Sequence, residues 1–287
     1  MTGNLGRRRL VRVPGSSANL GPGLDTLAAA LALYLEVEVI ETGSFAVHAD
    51  LDVPKDRDNL VVRAFEHLHP ADAFEFHISS AIPLVGGAGA SGAAIVAGLM
   101  AADHIFELDA DLLGLASGLE GHPDNVAASL QGGFVVCEND KAHRFEAPLG
   151  LEAILVVPEQ PIATAQARES LPPSVPLGDA IFNVAHASTL ILGLCTGDWE
   201  LIAAGLQDQL HQPARAHLYP ESHALLQRAP QLGALGATIS GAGPAVLVWC
   251  HFEHTGTVIE LLEREVRDWA RVQRVSFETQ GAHVRGL

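Results

Sequence analysis

Gly86, Gly87 and Gly89 stand just ahead of Ser91, where an alanine-rich helical pattern, SGAAIVAGLMAAD, begins. The first N–H groups of a helix have no intrahelical partner and carry the positive end of its dipole. Glycine removes the Cβ atoms that would hold an anion away from them. The stretch PLVGGAGASGAA therefore reads as a phosphate cradle made of backbone. It needs no lysine. The chain has only Lys55 and Lys141, and neither follows a glycine run, which excludes the lysine-dependent phosphate loop. A tight strand-to-helix turn of small residues would leave the same pattern, so this loop alone does not decide between the two.

Three further stretches are rich in turn and polar residues. They are PGSSANLGPGLD (14–25), EGHPDNVAASLQGG (120–133) and ISGAGPAVLV (239–248). With the glycine loop, and with DAIFN (179–183) and LHQPARAHLYP (210–220), they resemble the GHMP kinase superfamily and, within it, the homoserine kinases. The resemblance runs in order over nearly the whole chain. It implies an α+β fold of two subdomains. Residues 1–155 would be ribosomal-S5-like and residues 156–287 ferredoxin-like, with ATP and L-homoserine meeting between them.

Roles follow from that resemblance. Pro83, Leu84, Val85, Gly86, Gly87, Ala88, Gly89, Ala90, Ser91, Gly92 and Ala93 would hold the ATP phosphates, and Asn59 would contact adenine. Ser91 and Glu120 would ligate Mg²⁺, which takes a few hard oxygens beside phosphate and water. Asp25, with Ser91 and Glu120, completes the catalytic set, as the group that orients the substrate hydroxyl. Asn19, Asp25, His122 and Asn125 suit the ammonium and hydroxyl of homoserine. Arg215 suits its carboxylate through a bidentate fork. The reaction implied is transfer of the γ-phosphoryl of ATP to the homoserine hydroxyl, with no dedicated base.

The chain also departs from the family pattern. Leu24 replaces a phenylalanine, and the loop carries Val85, Gly86, Ala88, Ala90 and Gly92 where the family has Gly, Ser, Leu, Ser and Ala. After DAIFN the family has Ser-Arg, whereas Ala185 and His186 stand here. His186 is thus expected to replace an arginine of the carboxylate clamp. Two other readings stay open: a GHMP kinase for another small alcohol, and a family member that binds ligand without turnover.

Composition sets the frame for these groups. The 287 residues carry 34 acids and 17 bases, a formal net charge of −17. That argues against nucleic acid and anionic membranes, which need basic surface. Three separated cysteines with no CxxC argue against zinc and disulfides and favour a cytoplasmic setting. MTGNLGRRRLVRV lacks an apolar run behind its arginines and does not read as a signal peptide. The uncharged runs 81–102 and 232–250 contain glycines and a proline and read as loop plus element rather than membrane spans. Association of two copies is left open.

The elements that must position the site alternate irregularly. YLEVEVIE and FEFHIS alternate apolar and polar residues, as half-buried strands do. Asp58 is expected to cap a helix beginning NLVVRAFEHL. Further helices are expected at DADLLGLASGLEG and PDNVAASL, and near 179–195, 199–210, 221–229 and 257–270. GFVVC, AILVV, GATIS, AVLVWC and VQRVSF read as strands, and the four-proline segment 170–179 as an irregular loop.

Overall fold

The computed structural model describes residues 6–139, 141–161 and 164–286. Two sheets carry the chain. The first contains β1 (Arg8–Ala18), β2 (Leu27–Glu41), β3 (Ala46–Ala49), β4 (Phe74–Ser80), β5 (Phe134–Glu138) and β6 (Lys141–Phe145). Its order is β1-β2-β4-β3, with β5 paired to the far end of β2 and β6 to β5. The 15-residue β2 is the spine: residues 35–41 pair β4, while residues 27–29 pair β5. Its first half, LAAALAL, has no polar residue to alternate, so the sequence shows only the second half as a strand.

Four helices cover this sheet. They are α1 (Leu60–Glu66), α2 (Ala90–Phe106), α3 (Leu112–Glu120) and α4 (Asp124–Gln131). Asn59, not Asp58, caps α1, by accepting the Val61 N–H at 3.0 Å. Helices α1 and α2 meet backbone to backbone at Gly98, where a Cβ would lie 2.1 Å from the Val61 carbonyl oxygen.

The second sheet contains β7 (Leu151–Pro158), β8 (Gly236–Ile239), β9 (Val246–His251) and β10 (Ala270–Val275), all antiparallel, in the order β10-β7-β9-β8. That is the strand order 4-1-3-2 of a ferredoxin-like unit. Between β7 and β8 lie α5 (Thr164–Glu169), α6 (Leu177–Thr196), α7 (Trp199–Gly205), α8 (Gln212–Arg215) and α9 (Pro220–Arg228), while α10 (Phe252–Glu265) links β9 to β10. Ile154, Val156, Val246 and Val248 face α9 and α10, while Ala153, Leu155, Leu247 and Trp249 join the core of the first sheet. Burial of both faces explains the unbroken apolar runs AILVV and AVLVWC.

The division expected at 155/156 falls inside β7, because that strand is continuous. After β10 the chain returns to the first sheet, where β11 (His283–Gly286) pairs β1. β3, β6 and β11 carry too little apolar alternation to be read from sequence. The helix expected over 199–210 stops at Gly205, because the Asp208 carboxylate takes the N–H groups of Leu210, His211 and Gln212 and starts α8.

The contact at Gly98 has a measurable consequence. Gly98→Ala should push α1 off α2 and cost about 2 kcal/mol or more, since overpacking a dense core costs 1–3 kcal/mol. A denaturant melt of the variant should show a lower midpoint. An unchanged midpoint would mean the helices slide apart freely.

Candidate active site

A cleft of about 500 Å³ opens between the glycine loop, the turn after β1, the start of α4 and the α5–α8 region. Its phosphate end is built first by close packing. Gly89 is the N-cap of α2 in a left-handed conformation, and no side chain caps that terminus. A Cβ there would sit 2.2 Å from Ser16 Oγ, and one on Gly87 would sit 2.6 Å from the Ser240 carbonyl oxygen. The glycines thus let the loop lie directly on two neighbouring backbones. Ser16 N–H donates to the Ala88 carbonyl at 3.1 Å. The buried Ser240 hydroxyl donates to the Gly87 carbonyl and shares a hydrogen bond of 2.7 Å with the Ser17 hydroxyl. The open end of α2 is left facing the cleft. Pro83 through Ser91 all line it.

Ser91 lies in the first turn of α2 and Glu120 at the last residue of α3. Ser91 Oγ donates to Glu120 Oε2 at 2.7 Å. Ser91 is therefore not a cap. Two hard oxygens this close, at the mouth of an anion-binding helix end, fit neighbouring ligands of a small octahedral cation.

The other end of the cleft is ionic. Asp25, held at φ 56°, forms a two-bond ion pair with Arg168 at 2.8 and 3.0 Å. The His122 Nδ1–H donates to Asp124 Oδ1 at 2.5 Å. Asp124 is 1% exposed, its Oδ1 also accepts the Asn125 N–H, and its Oδ2 has no partner among the described residues. The hydrogen bond to Asp124 raises the His122 pKa against the opposing effect of burial. One ligating atom each from Asp25, His122 and Asp124 lie within 4.8 Å of one another. Arg215, only 2% exposed, also reaches the cleft. Two carboxylates and two guanidiniums at one end suit a small zwitterion.

Arg215 is fixed from beneath. Its Nε donates to the Ala167 carbonyl at 2.9 Å and its Nη1 to His211 Nδ1 at 3.1 Å. His211 donates from Nε2 to the Gly21 carbonyl at 2.7 Å. This wholly buried imidazole is thus neutral, protonated at Nε2 alone, and burial holds its pKa below the ordinary value. It ties Arg215 to the loop that presents Asp25.

Of the residues expected to bind substrate, Asn19, Asp25, His122, Asn125 and Arg215 line the cleft. Asn19 is largely spent on structure: its amide donates to the Gly241 carbonyl and accepts the Asp25 N–H. Asn125 accepts the Ser16 hydroxyl at 2.9 Å. His186 does not reach the cleft. It bonds the Phe182 carbonyl one turn back and stacks on that ring at 3.7 Å, so the clamp expected of it fails. Gly92 and Ala93 are buried beneath the cradle and face Asn125, Val126 and the core rather than the cleft. The Asn59 amide is engaged by the Val61 N–H and the Pro54 carbonyl, yet its residue borders an apolar pocket of about 400 Å³ beside Leu84, Ala90 and Ser91.

Sequence reasoning did not single out Arg168, Asp124 or His211. Asp124 looks like an ordinary acidic first-turn residue of α4. Arg168 did leave a signal: it is the last base before a stretch without lysine or arginine that ends at Ala214.

The fold and this cleft define a phosphoryl-transfer protein of a known type. Residues 59–133 match the N-terminal domain of GHMP kinases and residues 190–268 the C-terminal domain. The chain belongs to the GHMP kinase family. Within that family its relatives are homoserine kinases. It is 41% identical over 263 residues to the homoserine kinase of Clavibacter michiganensis subsp. michiganensis, across 85% of this chain and 83% of that one. It is 36% identical to that of Trichormus variabilis, across 95% and 97%. The crystal structure of homoserine kinase from Cytophaga hutchinsonii superposes with a TM-score of 0.84 at 26% identity, covering 99% of both chains.

Neutral His211 makes a pH prediction. Its folded pKa lies below the unfolded value near 6.5, so the unfolded chain binds the extra proton first. Stability from this group is complete above about 6.5 and falls at lower pH, by up to roughly 1.4 kcal/mol per pH unit. His211→Gln should shrink the difference between melting temperatures at pH 7.5 and 5.5. An equal difference in both proteins would refute a neutral, load-sharing His211.

Proposed function

We propose that this chain transfers the γ-phosphoryl group of ATP to the side-chain hydroxyl of L-homoserine. One observation carries the reading: a lysine-free anion cradle and a zwitterion-binding set share a single cleft. The homoserine kinase relatives give the same substrate pair. A sugar or an isoprenoid acid has no ammonium to meet the buried carboxylate of Asp124.

The α2 terminus and the N–H groups of the glycine loop hold the phosphates. The apolar pocket bounded by Leu35, Leu51, Val53 and Asn59 takes the adenine ring. Ser91 and Glu120 hold Mg²⁺, which when bound neutralises charge on the transferring phosphoryl group. Arg168 and Arg215 take the substrate carboxylate, and Arg168 thereby fills the place expected of His186. Asp124, through its free Oδ2, takes the ammonium. Asp25, once Arg168 turns to the substrate, accepts the hydroxyl proton and aims that oxygen at the γ-phosphorus. The new P–O bond forms as the bond to ADP breaks. Because the transition state is loose, alignment and charge balance supply most of the rate and a strong base is not required.

Three measurements test this. Purified protein with Mg-ATP should release ADP with L-homoserine and far less with mevalonate or galactose. A preference for either alternative would overturn the substrate. Glu120→Gln keeps shape but removes the charge that holds the metal, and should lower turnover roughly 10²-fold or more. Asp124→Asn should raise the KM for homoserine more than the KM for ATP. Equal effects on both would remove Asp124 from the ammonium site.

A further inference from the structure

At β3 and β4 the first sheet turns one face to its helices and the other to solvent. Phe74, Phe76 and Ile78 are buried, and the Phe76 ring meets Phe65 of α1 edge-on at 5.2 Å. The alternate residues of β4, Glu75, His77 and Ser79, therefore point away from the helices. β3 lies beyond β4 at the edge of the sheet and runs parallel to it, with His48 directly opposite His77. Register thus sets two imidazoles side by side, their centroids 4.5 Å apart and their planes 22° from parallel. Glu75 stands on the same face, two residues before His77.

Both rings aim Nε2 at a single oxygen. Glu75 Oε2 lies 3.6 Å from His48 Nε2 and 3.8 Å from His77 Nε2. The Ser44 hydroxyl lies 3.5 Å from the other oxygen, Oε1, and so leaves Oε2 to the rings. Separations of 3.6 and 3.8 Å are too long for hydrogen bonds. They are close to the spacing of ligand atoms around one ion. With bonds near 2.1 Å, tetrahedral ligand atoms sit about 3.4 Å apart. One ligand atom from each of the three side chains lies within 4.8 Å of the others, and exposed side chains close such a gap by ordinary rotation.

The donor set selects the ion. Two imidazole nitrogens and one carboxylate suit zinc and its neighbours, whereas Mg²⁺ takes oxygen ligands in near-ideal octahedra. The surrounding charge agrees. His48 and His77 border a shallow depression of about 370 Å³ with Glu36, Glu38 and Asp50. Glu36 and Glu38 pair with Arg12 and Arg8, so these acids are already neutralised and do not compete for the ion. Asp50 adds a carboxylate at the rim.

We propose that His48, Glu75 and His77 bind one divalent metal ion of the zinc type, with water completing a tetrahedral shell. The site uses no cysteine, so the absence of a CxxC pair has no bearing on it. The ion ties the four-residue edge strand β3 to β4 by side chains as well as by backbone. None of the three ligands lines the cleft, so this ion is separate from the one held by Ser91 and Glu120.

Isothermal titration with ZnCl₂ in excess MgCl₂ tests the site. The wild-type protein should bind an equivalent of Zn²⁺ that His48→Gln and His77→Gln each weaken about 10-fold or more, the loss that even an outer-shell partner causes. Co²⁺ in place of zinc should give the intense visible bands of a tetrahedral site, absent from both variants. Zinc should raise the melting temperature of the wild type more than that of either variant, because it binds the folded chain. Both variants should keep their circular dichroism and their homoserine-dependent ADP release with Mg-ATP. Absence of zinc binding by the wild type overturns the proposal, as does binding that both glutamine variants retain in full. Loss of the equivalent in Asp124→Asn, with its retention in the two histidine variants, places the metal in the cleft and also overturns it.

Discussion

The backbone at Gly87 and Gly89 lies so close to Ser240 and Ser16 that neither position has room for a methyl group. Much else follows from that contact. It locks the glycine loop to β1 of the first sheet and to the turn that joins β8 and β9 of the second. It thereby fixes where the uncapped end of α2 points. It also sets the width of the cleft, because the same turn receives the Asn19 amide through Gly241. Glycine here serves packing before it serves the phosphate. The open N–H groups are a result of how tightly the loop is pressed against its neighbours.

An acidic protein that holds a polyanion faces an electrostatic conflict. A net charge of −17 repels ATP at long range, although the repulsion is screened beyond about 10 Å in salt. The chain resolves it locally. Helix dipole and backbone N–H groups are fixed partial charges that cost no titratable base and need no reorganisation. Among the described residues the arginines that face the cleft are Arg168 and Arg215, at the end opposite the cradle. Arg215 loses solvation there, and burial lowers its pKa, but the carbonyl of Ala167 and the ring of His211 satisfy its donors. Removing His211 would leave a buried guanidinium short of a partner, which is costlier than never burying it.

The Asp25–Arg168 pair has a further consequence for binding. In this structure each ion neutralises the other, so neither is a bare charge. A zwitterion offers a carboxylate to one and an ammonium or hydroxyl to the other. Under the proposed roles, substrate would exchange one set of charge pairs for another instead of creating unpaired charge. Asp124 differs, since its buried Oδ2 has no partner among the described residues. Of the substrate's groups, the ammonium is the one whose donors also carry positive charge.

Composition, motif order and local patterning fixed a good deal of this. The order of the motifs indicated the family and its α+β architecture, and the glycines ahead of an alanine-rich helix marked a loop that lines the cleft. These features are local: they depend on residues within a turn or two, where spacing along the chain equals spacing in space. What failed was whatever depended on direction or on distant partners. His186 has the right neighbours in sequence, yet its ring folds back on Phe182 because that face of α6 packs that way. Asn59 sits at a helix start that sequence reading assigned to Asp58, because only the backbone decides which residue leaves the helix. Arg168 meets Asp25 across 143 positions, Ser240 meets Ser17 across 223, and β11 returns to β1 from the far end of the chain. Such pairs leave no periodic trace in a single sequence. The tertiary structure decides them, because closing a long loop is repaid only when both sheets are in place.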